Sequence, residues 1–98
     1  MSYEEIVASD QRLVLLQVLE ENVDYAHNET VLQRALEAMG HSISSDRLRT
    51  ELAWLSEQGL ITVENLAGLQ VAKLTNRGED VALGHARVPG IARPRPGG

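Results

Sequence analysis

The sequence predicts a mainly helical α+β domain with one β-hairpin, in the order helix, helix, helix, hairpin, helix. Leucines recur at helical spacing in three separate stretches of the first 60 residues. Two short runs containing β-branched residues follow and flank Ala67-Gly68, a pair suited to a tight turn. The 98 residues have the size of one domain.

The composition restricts the class of protein. Apolar residues make up 43% of the chain and Phe is absent, so the core must be built mainly from Leu and Val. With no Cys, disulfides and thiolate metal sites are excluded. The start "MSYEEIVASD" lacks the features of a signal peptide, and the longest aliphatic run is far shorter than the roughly 20 residues of a membrane span. We expect a cytoplasmic protein without membrane contact.

The charge is negative and unevenly distributed. The net charge is −5; residues 1–30 hold seven acidic side chains and one basic, whereas residues 61–98 hold five basic and three acidic. Non-specific DNA binding requires a broad excess of Lys and Arg. The charge balance therefore counts against DNA binding.

The first predicted helix spans about residues 9–22, with Ser9 or Asp10 as the N-cap. The segment "ENVDYAHN" interrupts the helical pattern and is expected to be a loop. The expected core face of the helix is Leu15, Leu16 and Leu19.

The second predicted helix spans residues 29–39, with Asn28 as the N-cap and Gly40 in the left-handed position after its end. Its buried face is expected to contain Leu32, Ala35, Leu36 and Met39.

The third predicted helix begins after Ser44 or Ser45 as the N-cap, runs to about residue 58 and stops at Gly59. Leu48, Leu52 and Leu55 are expected to face the core. The remaining positions Arg47, Arg49, Thr50 and Ala53 are expected on the outer face.

The hairpin is predicted in "LITVENLAGLQVAKL", anchored on the helices by Leu60, Ile61 and Leu74. Thr75 then caps a last helix that runs to about residue 83. Residues 1–85 thus form the predicted domain, and residues 86–98, rich in Pro, Gly and Arg, are expected to be a flexible tail.

Three helices followed by a hairpin is the winged helix-turn-helix arrangement. The stretch "LRTELAWLSEQGLI" resembles the recognition helix and wing entry of winged-helix regulators, and "KLTNRGEDV" resembles the segment that closes their wing. "RLVLLQVL" resembles the first helix of ArsR-type members. The whole chain resembles small winged-helix proteins of Mu-like phages and prophages, which have a tail similar to "GHARVPGIARP". The resemblance implies a phage origin and a DNA-binding role.

A recognition helix at about residues 45–58 would lie in the major groove of double-stranded DNA. Arg47 and Arg49 carry the fork that suits guanine. The complete set of expected DNA contacts is Ser45, Arg47, Arg49, Thr50, Lys73 and Arg77. The alternative is that Arg47 pairs with Glu51 one turn later and that Arg49 only solvates the helix.

Other residues leave less specific signals. Trp54 lies beside the leucine stripe, either half-buried against the last helix or as an anchor for a partner or the tail. His27, His41 and His85 are dispersed, so we expect neither a metal nor another cofactor. No catalytic motif is found, and we expect a protein that is not an enzyme.

The sequence favours a DNA-binding transcriptional regulator. The alternative is a protein-interaction module in phage assembly or DNA packaging that uses the same fold without reading bases, with a phage protein as its partner. A homodimer is also expected for the regulator, because operator half-sites usually pair with two-fold symmetric proteins.

Overall fold

The computed structural model describes residues 2–95 and has the winged-helix architecture expected from the sequence. Three helices, a hairpin and a fourth helix appear in the predicted order, and an additional short strand precedes the second helix. The elements are α1 Tyr3–Glu21, β1 Ala26–Asn28, α2 Glu29–Ala38, α3 Ser45–Glu57, β2 Ile61–Leu66, β3 Leu69–Leu74 and α4 Asn76–Ala82. Within residues 2–95, no helix is long and apolar enough to cross a membrane.

The three leucine stripes meet in one core, as predicted. Met39 does not belong to it: its side chain is 60% exposed, because Met39 is the C-cap of α2 and no longer follows the helical stripe. Ala35 is only partly buried. The core residues that come from the predicted stripes and hairpin anchors are Leu15, Leu16, Leu19, Leu32, Leu36, Leu48, Leu52, Leu55, Leu60, Ile61 and Leu74.

Helix α1 begins six residues earlier than predicted. Its N-cap is Ser2, whose hydroxyl accepts a hydrogen bond from the backbone N–H of Glu5 at 3.1 Å. Acidic residues in the first turn also interact favourably with the helix dipole. Ser9 is therefore not a cap; it lies inside the helix and its hydroxyl donates to the Ile6 carbonyl at 2.9 Å.

Part of the predicted loop "ENVDYAHN" is strand β1, which pairs antiparallel with β3. The sheet order is β1-β3-β2, so β3 is the central strand. Asn28 then caps α2 as predicted, accepting from the backbone N–H of Val31 at 2.9 Å. The strand was missed because three residues are too short to show alternation.

The predicted boundaries of α3 and the hairpin turn are confirmed. Ser44 is the N-cap of α3, and its hydroxyl accepts from the backbone N–H of Arg47 at 3.1 Å. Ala67 and Gly68 both have positive φ, 53° and 83°, which defines a type I′ turn between β2 and β3. The inner face of the hairpin packs on the helices through Ile61 and Leu74.

Residues 86–92, which follow α4, pack against the domain. Val88 is buried, and the backbone N–H of Ala92 donates to the Ser9 carbonyl at 3.1 Å. Ile91 packs on the core beside it. These few apolar side chains are enough to hold an irregular segment against α1, which corrects the picture of a tail detached from residue 86 onward. Residues 96–98 lie outside the described residues.

Candidate nucleic-acid interface

Helix α3 presents one face to the core and the other to solvent. Its 13 residues span about 20 Å. The exposed face includes Ser45, Asp46, Arg49, Thr50 and Ala53. Four of the six predicted DNA contacts lie on α3, and its exposed face carries acidic as well as basic groups.

Arg49 forms a two-pronged ion pair with the buried carboxylate of Glu29 rather than simply solvating the helix. Its Nε and Nη2 each donate to a Glu29 oxygen at 2.9 Å, and Nη2 also donates to the Gly68 carbonyl at 3.2 Å. The backbone N–H of Gln70 donates to the same carboxylate. The guanidinium of Arg49, followed by the Gln70 N–H, lowers the pKa of Glu29. Arg49 thus ties α3 to α2 and to the hairpin turn.

Arg47 makes the i+4 ion pair that was the alternative to DNA contact. Its Nε donates to Glu51 Oε2 at 2.8 Å, and the Glu51 side chain is only 2% exposed. The Arg47 side chain is 52% exposed, and its Nη groups have no hydrogen-bond partner among residues 2–95. The ion pair therefore orients Arg47 without using the outer end of its fork.

The other oxygen of Glu51 accepts from Arg12 Nε at 2.6 Å. Arg12 also lies 4.0 Å above the Trp54 ring, and its Nη1 donates to the Gly90 carbonyl at 3.0 Å. Trp54 is partly buried beneath these groups and contacts the tail, which is one of the roles anticipated for it.

The sequence interpretation missed Glu29, Arg12 and Gly90 as parts of this network. One signal was present for Glu51, which falls on the same helix face as the buried Leu48 and Leu55. A buried carboxylate requires a cationic partner, so its position predicts such a network.

The two hydroxyl residues lie in the N-terminal half of α3. Ser45 Oγ donates to Gln33 Oε1 at 3.3 Å, and Thr50 Oγ1 donates to the Asp46 carbonyl at 3.1 Å. Both residues are exposed and lie within about one turn of Arg47.

Lys73 and Arg77 lie away from the N-terminal half of α3. Lys73 is exposed on the outer face of the sheet, about 16 Å along β3 from the turn at Gly68. Arg77 lies in the first turn of α4, and its Nη1 donates to the Gln58 carbonyl at 2.8 Å, at the C-terminal end of α3. The structure thus brings together only four of the six predicted contacts.

The histidines form no shared site. His41 Nε2 lies 2.9 Å from Asp10 Oδ2, between the α2–α3 connection and α1. Among residues 2–95 there is no group of three or more His, Asp or Glu side chains that could hold a metal ion.

Solved structures with the same fold are found among winged-helix proteins. H. salinarum RosR is 27% identical with a TM-score of 0.65, over 74% of this chain and 66% of RosR. The complex structure of hsRosR-S1 gives 27% identity and a TM-score of 0.63, over 74% of this chain and 63% of that one. The chain spans about two-thirds of the length of these RosR chains.

Sequence relatives cover nearly the whole chain, although no family model matches it. An uncharacterised protein of Haemophilus influenzae is 49% identical over 78 residues, 79% of this chain and 76% of the relative. The uncharacterised protein gp26 of Escherichia phage Mu is 51% identical over 92 residues, 94% of this chain and 95% of gp26. The chain therefore belongs to the same family as gp26 of phage Mu.

Proposed function

We propose that this protein binds double-stranded DNA as a transcriptional regulator, with the N-terminal half of α3 in the major groove. The proposal rests on the hydrogen bonding and exposure of the Arg47 side chain. A buried carboxylate accepts from its Nε, while its two Nη groups have no partner among the described residues. An arginine fork held in this way can donate two bonds to one guanine with little loss of side-chain freedom. The winged-helix fold that the chain shares with RosR supports this placement of α3.

The four residues on α3 have different roles in this proposal. Arg47 contacts a base, and Ser45 and Thr50 contact phosphate or base edges. Arg49 uses Nε and Nη2 inside the protein, so only its Nη1 is available for a phosphate. Arg49 acts chiefly as a positioning residue that fixes α3 against the hairpin.

Arg77 and Lys73 are peripheral. Arg77 of α4, next to the C-terminal end of α3, contacts phosphate at the edge of the DNA site. Lys73 makes no DNA contact. With at most three cations in contact, the logarithm of affinity should fall with the logarithm of salt concentration with a slope of about −3 or shallower. The negative net charge of −5 gives the same expectation of weak non-specific binding.

The test is an electrophoretic mobility shift with fragments of the source genome at two salt concentrations. Arg47→Ala should weaken binding to the preferred fragment by about 1–3 kcal/mol and reduce its preference over other fragments. Arg87→Ala removes the same charge from the segment after α4 and should leave the preference unchanged. No shift of any fragment at low salt, with the wild-type protein shown to be folded, would falsify the proposal.

A protein-interaction role in phage assembly or DNA packaging is the second candidate. It is favoured by the use of Arg47 and Arg49, the two basic residues of α3, in ion pairs within a negatively charged protein. Neither role involves catalysis, and we propose no enzymatic activity. The narrower likeness to ArsR-type regulators, a cytoplasmic location, a homodimer and a phage partner remain predictions.

A further inference from the structure

A cleft of about 270 Å³ lies between the N-terminal half of α1 and the start of α3. Gln11 is its most buried residue, and the partly buried Val7 and Ile43 are also in its lining. Exposed residues at its rim include Glu4 and Arg47. The volume is slightly below the roughly 300 Å³ at which pockets for drug-sized ligands begin, so a smaller molecule fits.

Gln11 is the unusual residue in this cleft. It is 6% exposed, and its amide has no hydrogen bond to any group of residues 2–95. Every side-chain polar atom in the described residues that is closed off from solvent does have a partner. The small exposed part of Gln11 therefore includes its amide, which faces the cleft and can bond to a molecule there. An amide that no group of the described residues satisfies can both donate to and accept from such a ligand.

The rim carries one charge of each sign. Arg47 offers Nη groups that have no partner within residues 2–95, and Ser44 marks the N-terminus of α3, where the helix dipole favours an anion. Glu4 lines the same cleft, and no ion pair joins it to Arg47 in the described structure. An anion alone would meet the repulsion of Glu4, whereas a molecule with both charges would satisfy both side chains.

We propose that the cleft binds a small zwitterion with a short apolar part, for which a free aliphatic amino acid is the simplest case. The carboxylate bonds to Arg47 and the ammonium group to Glu4. The apolar part packs on Val7 and Ile43, and the Gln11 amide bonds to the carboxylate or ammonium group. This site does not depend on DNA binding, because the whole cleft is present in the free protein.

The test is titration of the free, isotope-labelled protein with leucine, valine and methionine, followed by amide chemical shifts. At least one should give saturable shifts at residues 4–11 and 43–47 below about 10 mM. For the amino acid that binds, the analogue lacking the ammonium group and the amide lacking the carboxylate should each bind at least about tenfold more weakly. No saturable shift with any of the three, or equal binding of the analogues, would overturn the proposal.

Variants locate the site. Arg47→Ala and Gln11→Leu should each lower the affinity about tenfold or more, and Arg87→Ala should leave it unchanged. Circular dichroism checks that each variant is folded; should Gln11→Leu not fold, the half-exposed Arg47 still decides the question. Equal weakening by Arg87→Ala and Arg47→Ala would show that only net charge matters, and would contradict the assigned contacts. Since no DNA is present, failure here is independent of failure in the mobility shift.

Discussion

At the scale of single residues, two buried carboxylates determine what the arginines of α3 can do. Glu51 holds Arg47 by one nitrogen and leaves the fork open, whereas Glu29 holds Arg49 by two. Releasing Arg49 toward DNA would leave Glu29 buried without its cation, which is costly. Two arginines that look equivalent in the sequence therefore have different roles.

The Glu29 pair should be visible in the pH dependence of stability. The bonds from Arg49 and from the Gln70 N–H lower the pKa of Glu29 from its ordinary value of about 4.5. Because the pKa is lower in the folded state, the stabilisation is complete above the ordinary pKa and is lost as pH falls through the lowered one. Glu29→Gln should lower the melting temperature at neutral pH, and the deficit should shrink on acidification below about pH 4.5.

Thermal melts from neutral to acidic pH measure this difference. Glu64→Gln is the matched control, because Glu64 is exposed on β2 and should change the melting temperature little at any pH. A deficit for Glu29→Gln that stays constant across the acidic range would contradict a role for the ionised carboxylate.

At the scale of elements, the sequence predicted what depends on local spacing. The leucine stripes of α1, α2 and α3, the caps Asn28 and Ser44, and the hairpin turn are all local patterns. The start of α1 also has a local signal, Ser2 followed three residues later by Glu5, although the predicted N-cap was Ser9 or Asp10. Strand β1 had none, because it is defined by its pairing with β3 more than 40 residues later in the chain.

The buried face of α3 gives a direct test of this assignment. Leu52 is fully buried, so Leu52→Ala should reduce the free energy of unfolding by about 2–5 kcal/mol. Leu55→Ala should cause a similar loss, while Ala53→Ser on the exposed face should hardly change the free energy of unfolding. Chemical denaturation measures all three. Small and equal losses would mean that the helix is rotated relative to the core.

The hairpin turn contains strain that a substitution should relieve. Ala67 has a φ of 53°, a left-handed conformation that costs a residue with a Cβ roughly 1–2 kcal/mol. Asn adopts this conformation more readily, and Asn-Gly is a favoured type I′ pair. Ala67→Asn should therefore increase the free energy of unfolding by about 0.5–1 kcal/mol, measured by denaturation. Ala53→Asn, on the exposed face of α3, should give no such gain.

At the scale of the whole molecule, the segment after α4 contacts both α1 and α3. Ala92 bonds to Ser9 of α1, and Gly90 meets both Arg12 and Trp54. Arg12 and Arg47 both donate to the Glu51 carboxylate. The docked segment is therefore linked to the candidate DNA contact Arg47 through Arg12 and Glu51. Composition alone predicted a flexible tail. The few residues that hold the segment on the domain contact α1 and α3, which are distant in the sequence, so no local pattern indicates the docking.

Gly90 should be the position where this docking is most easily disrupted. Its φ is 96°, and a Cβ there would lie 2.9 Å from Trp54 Cζ2 and 3.2 Å from Arg12 Nη1. Gly40 has a similar φ of 89°, and no atom in the part of the chain that the structure describes lies within 4 Å of such a Cβ. Both Gly→Ala substitutions incur the cost of positive φ, but only Gly90→Ala adds the clash and should displace residues 88–92.

Two signals should separate these variants. Trp54 is the single tryptophan of the chain, so its emission should move to longer wavelength in Gly90→Ala, where the ring loses its cover, and stay unchanged in Gly40→Ala. The Ala92 amide should lose hydrogen-exchange protection in Gly90→Ala alone, because its bond to the Ser9 carbonyl requires the docked segment. Identical spectra and identical Ala92 exchange in the two variants would show that Gly90 is not the contact that holds the segment on α3.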